Sequence, residues 1–239
     1  MIHQAFPPRV PWPPRATPPS TPEPVPVFKP TVPQPVSIRA RFQIKLGVTV
    51  FGTPNYFNLD EALSEFQNFV QNNSKLDLQF TTNKYPPLAL DEYHIIPDSP
   101  NCTFVDPWYV HSETLSKLPP NVAVQVFLYD VQNTKSCFGG RAYQPSPQTR
   151  NVPLIAIPFG ETIRQWGIEP NWRTRTATAL VHEFYHAISQ ILAPKGYNLP
   201  DPDKANQFGY TTENDPGWVR FDKFLYSQLT QGMYMVLSP

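Results

Sequence analysis

The sequence predicts an α+β fold, a mixed and twisted sheet with helices packed on it. Three observations predict it. Stretches rich in β-formers recur at 38–51, 76–81, 122–131 and 152–158. Two others, 58–72 and 174–192, repeat apolar residues at the period of a helix. A front segment, 1–37, is too dense in proline for either element. The chain therefore divides into an extended proline-rich arm (1–37), a sheet-and-helix subdomain (38–192) and a small, loop-rich C-terminal subdomain (193–239).

In the arm each proline fixes its own φ and removes a backbone donor. The residue before it is pushed toward extended geometry. The segment reads as polyproline-II-like, without a core of its own. It serves either as a spacer or as a docking arm for a protein partner.

The first strand, 38–51, alternates apolar and polar residues. Asn58 then precedes a helix that lines up Leu59, Ala62, Leu63, Phe66, Phe69 and Val70 on one face. Residues 76–81 read as the second strand. From 84 to 120 the prolines at 86, 87, 97, 100, 107, 119 and 120 make the chain read as irregular. The clearest strand is 122–131. Gly139-Gly140 then leads into the short piece Arg141-Ala142-Tyr143. Pro153 and Pro158 predict that strand 152–158 is a sheet edge, because proline cannot donate to a ladder on both sides. The helix 174–192 buries Ala177, Leu180, Val181, Phe184, Ala187, Ile188 and Ile191, and Pro194 and Gly196 stop it. A last helix starts at Asp215-Pro216, an acidic N-cap with proline at the first helical position. Trp218, Phe221, Phe224 and Leu225 give it a face to bury. There is no internal repeat.

A length of 239 residues suits one medium domain with appendages. Lys and Arg number 19 and Asp and Glu also 19, and no basic stripe is present. That argues against a nucleic-acid partner. No apolar run is long enough for a membrane span. The first residues lack the apolar stretch of a secretory signal, so a secreted or assembly-associated chain would have lost a leader. Cys102 and Cys137 read equally as one disulfide or as two thiols, and their spacing is not that of metal ligands.

The chemistry is concentrated in His182-Glu183-Phe184-Tyr185-His186. Histidines at i and i+4 lie one above the other on a helix face, where both rings can reach one tetrahedral zinc ion. Glu183 projects about 100° further around the helix. It can meet a water on the metal without ligating the metal. Without a ligand, three polar groups would share a largely apolar helix, which is costly.

The stretch VFLYDVQNTKSCFGGRAYQPSPQTRNVPLIAIPFG, followed by ALVHEFYHAIS, resembles the core of the zincin metallopeptidases. In that superfamily a strand, a Gly-x-Ala-type turn, an edge strand and a His-Glu-x-x-His helix succeed one another. The resemblance spans 40–192, and only the five-residue motif in it is specific. It implies that His182 and His186 are zinc ligands and Glu183 the general base. It also implies that a peptide or protein substrate adds as an antiparallel strand along 152–158.

A third ligand is needed. The metzincin extension wants Gly and then His or Asp where this chain has Ser189 and Leu192. The aspzincin pattern Gly-Thr-x-Asp is absent. A gluzincin-like site takes a downstream Glu, and Glu213 is the only Glu after Glu183. Glu213 is therefore the expected third ligand, with Asp215, Asp201, Asp203 and Asp222 as alternatives. Tyr210 is a candidate to hold the oxyanion, or else a packing residue. His94 and His111 read as structural, and Asp91, Glu92 and Asp98 match no calcium loop. The first expectation is a zinc metalloendopeptidase. The alternative is a structural or assembly protein that docks through its proline arm, with peptidase activity latent or lost.

Overall fold

Parallel strands must be covered on both faces, and here the apolar residues stack in register to allow it. The computed structural model describes residues 41–52, 59–86, 94–99, 102–106, 117–130, 140–158, 172–203 and 216–237; the 1–37 arm lies outside them. In chain order the strands are β1 (Phe42–Phe51), β2 (Leu76–Tyr85), β3 (His94–Ser99), β4 (Cys102–Asp106), β5 (Val124–Tyr129), β6 (Arg141–Tyr143) and β7 (Leu154–Pro158). The α-helices are α1 (Leu59–Asn73), α2 (Trp172–Leu192), α3 (Pro216–Ser227) and α4 (Gln231–Leu237).

Five strands form one mixed sheet in the order β2-β1-β5-β7-β6. β2, β1, β5 and β7 run parallel, and β6 pairs antiparallel with β7. Register puts Val48 opposite Val126 and Val126 opposite Ile155, with Val50, Leu128 and Ile157 forming the next row. These rows share one core with Leu63, Phe66 and Val70 of α1 and with Leu180, Phe184 and Ile188 of α2. The ring of Phe66 meets that of Phe184 edge-on, with centroids 5.4 Å apart. On the opposite face Phe51, Phe127 and Tyr129 are also buried. There Gly47 pairs with Gln125, and a Cβ on Gly47 would lie 2.6 Å from Gln125 Oε1. Glycine is required so that Gln125 can donate to the Pro119 carbonyl at 2.7 Å.

The structure corrects the sequence reading in three places. β7 is an interior strand, paired to β5 on one side and β6 on the other, so 152–158 is not the edge. Its prolines sit where little pairing is lost. Pro153 lies outside the strand and only accepts, from Gln125 N at 2.9 Å, while Pro158 ends the ladder. Among the described residues the strand that ends the sheet on this side is the three-residue β6. Second, the stretch read as irregular holds a separate antiparallel pair, β3 and β4, whose register shifts between Pro97 and Ser99. Third, α4 is an additional helix. Its Met233, Tyr234 and Leu237, with Phe221, Leu225 and Tyr226 of α3, join the central core.

Candidate metal centre

Helix α2 runs 21 residues with no internal Gly or Pro, so nothing interrupts it across the motif. Its apolar face packs on β7 and α1, which fixes how it is rotated. That rotation leaves His182 and Glu183 almost buried and His186 partly exposed. The two imidazole centroids are 5.0 Å apart, one turn along the same face.

After Leu192 a short 3-10 turn, Ala193–Lys195, ends in Gly196 at φ +86°. This left-handed residue suits glycine and turns the chain away from the helix axis. The returning chain carries Asp201-Pro202-Asp203 across the motif. Asp201 Oδ1 accepts from the Asp203 backbone N–H at 3.1 Å and so shapes the turn. Asp203 Oδ1 then stands 3.5 Å from His182 Nε2 and 3.4 Å from His186 Nε2.

Tetrahedral zinc with bonds of about 2.0–2.2 Å holds its ligand atoms about 3.3–3.6 Å apart. The two His–Asp separations match that spacing, and the three donor atoms all lie within 4.8 Å of one another. Two imidazoles with one carboxylate is also a donor set that suits zinc. The residues present therefore fit the ion.

Behind this face, Asp222 of α3 is buried and points Oδ1 at His182 Nδ1, 3.8 Å away. One helical turn on, the Tyr226 hydroxyl donates to the Val181 carbonyl at 2.7 Å. Helix α3 thus meets α2 at two adjacent residues, 181 and 182. On the sheet side Gly140, at the entry to β6, lies against the Glu183 side chain.

The electrostatics favour a positive charge between these groups. Burial works against charge on His182, yet the carboxylates of Asp203, Asp222 and Glu183 around it outweigh it, and the imidazole is pushed up to about 10. His186 goes the other way, lowered by burial and then by the charge on His182. The hydrogen bond from His182 holds the Asp203 carboxyl below its ordinary range. Burial raises the Tyr185 and Tyr226 hydroxyls well above theirs.

Of the residues singled out in the sequence, His182, Glu183 and His186 fall together as spaced. Glu213 and Tyr210, with Asp215, Cys137 and His111, lie outside the described residues. Among the four aspartate alternatives, Asp203 meets both histidines, Asp201 supports its turn, and Asp222 stands behind His182. Residue type alone favoured a glutamate. The available signal is positional: Asp201 and Asp203 are the first acids after the helix stop at Gly196, and only the fold separates them.

No family model and no curated protein matches this sequence. Among solved structures, the chain is similar to archaemetzincin from Methanopyrus kandleri at 13% identity and a TM-score of 0.42, over 84% of this chain and 96% of that one. The functional reading accordingly rests on the geometry of this chain's own residues.

Proposed function

We propose that this chain is a zinc-dependent peptidase in which His182, His186 and Asp203 hold the metal and Glu183 is the general base. The observation that carries the reading is the convergence of three donor atoms within 4.8 Å of one another, next to a buried glutamate on the same helix. When bound, zinc would polarise the scissile carbonyl and make water more acidic at neutral pH.

The chain's own groups do the rest. Glu183 accepts the proton of the attacking water on its carboxylate and returns it to the leaving amine. Asp222 faces His182 Nδ1 from 3.8 Å, where its carboxylate would favour the ring orientation that turns Nε2 toward the metal position. Among the described residues β6 ends the sheet order next to the motif helix, and we place the substrate strand alongside it. This moves the substrate strand from 152–158 to 141–143. Glu183 lies beside β6 because Gly140 opens that strand.

The test compares wild type with Glu183→Gln on an unstructured substrate such as casein, with zinc content measured on both. The expected result is one zinc per chain in each and cleavage only by wild type. Equal inertness of both proteins with zinc bound would count against catalysis. It would favour the alternative, an assembly protein that keeps the metal site for structure.

A further inference from the structure

We infer that Gly140 is a positioning residue for Glu183, its bare backbone forming the wall that fixes the carboxylate. This rests on the reading of Glu183 as the base and adds a determinant outside the motif. A Cβ placed on Gly140 would lie 2.8 Å from Glu183 Cγ, 3.1 Å from Oε1 and 3.3 Å from Cδ. The first of these distances is below any tolerated carbon–carbon contact.

Which atom is met decides the consequence. Cγ is placed by χ1 alone, so the strain cannot be relieved by a small movement of the far end of the side chain. On a helix χ1 has in practice two wells, because the third drives the side chain into the preceding turn. Relief therefore swings Glu183 to the other well and carries its carboxylate away, or it moves β6 off α2. Glu183 is buried, and on the same face of the strand Ala142 pairs with the buried Ile155. Gly140 is thus the point at which the sheet edge sets the distance between the base and whatever lies along β6.

The experiment is a double-mutant cycle with Gly140→Ala and Glu183→Ala, read by thermal melting and zinc content. Glu183→Ala removes Cγ, Cδ and Oε1 together, so it removes every atom that the new methyl would strike. Gly140→Ala should lower Tm by about 2–4 °C or more when Glu183 is present, and by much less in the Glu183→Ala background. If Gly140→Ala alone fails to fold, recovery of folding by Glu183→Ala supports the inference, and failure to recover overturns it. An equal Tm cost in both backgrounds also overturns it. On casein, Gly140→Ala should retain one zinc per chain and KM while kcat falls about 10²-fold, as for a catalytic group displaced by about 1 Å. Unchanged kcat overturns the positioning role. Inertness of wild type would sink the peptidase reading instead, and the melting cycle would still decide the contact.

Discussion

Asp222 and Asp203 address opposite nitrogens of the same ring: Asp222 Oδ1 lies 3.8 Å from His182 Nδ1, and Asp203 Oδ1 lies 3.5 Å from Nε2. One carboxylate is buried and comes from α3, while the other is exposed and comes from a turn. A carboxylate behind a metal-binding histidine fixes its tautomer and raises its basicity. Asp222→Asn should therefore weaken zinc binding about 10–100-fold. Competition against a chromophoric chelator measures this, and unchanged affinity would reduce Asp222 to a packing residue.

The third ligand is decided by a paired comparison. Asp203→Ala should cost far more zinc affinity than Glu213→Ala, because Asp203 supplies the oxygen between the two histidines. The same titration reads both variants. If Glu213→Ala strips the metal and Asp203→Ala does not, the assignment goes back to Glu213.

What could be read from the sequence follows from how local the cause was. His182 and His186 need only helical spacing, and the helix that carries them is specified by its own residues. The strands β1, β5 and β7 are legible within a few residues because short runs of β-forming apolar residues mark them locally. The rank of β7 in the sheet was not local. Its prolines argued for an edge, and only pairing with β6 makes it interior. Nor was β6 itself legible as the edge, since three residues carry no period. β3 was hidden by Pro97, which sits at an irregular register, and α4 by its length of seven residues. Asp203 required knowing where the chain returns after Gly196, which is a matter of three dimensions.

The joint between α1 and α2 offers a test of packing. Phe66 and Phe184 are fully buried, with ring centroids 5.4 Å apart. Phe184→Ala should cost about 3–5 kcal/mol. Added to Phe66→Ala, it should show a coupling of about 0.5–1.5 kcal/mol in urea unfolding. Strict additivity would mean that the two rings do not support each other.

High pH should unfold the protein through its tyrosines. Burial raises the Tyr185 and Tyr226 hydroxyls above their ordinary value, and Tyr226 also faces the Asp222 charge. An acid whose folded pKa is raised contributes stability that is complete below the unfolded value. That contribution is lost as pH rises. The unfolded hydroxyls ionise near pH ~10, so above it each such tyrosine should remove about 1.4 kcal/mol per pH unit. Urea midpoints between pH 9 and 11, taken as approximate limits around that value, give the slope. Tyr226→Phe should flatten it while costing about 1 kcal/mol at neutral pH for the lost bond to Val181. An undiminished slope in that variant would remove Tyr226 from the explanation.

The return from His186 to Asp203 has a further consequence. Sixteen residues lie between these two donors along the chain, the left-handed Gly196 among them. A cation joining them closes a loop, as a covalent staple would. For a loop of about 15 residues such closure is worth about 3 kcal/mol in the chain-entropy account. The same ion would then serve as reagent and as rivet. Chelation should loosen the stretch 193–203 before it affects the sheet, and an added protease should nick the chain there first.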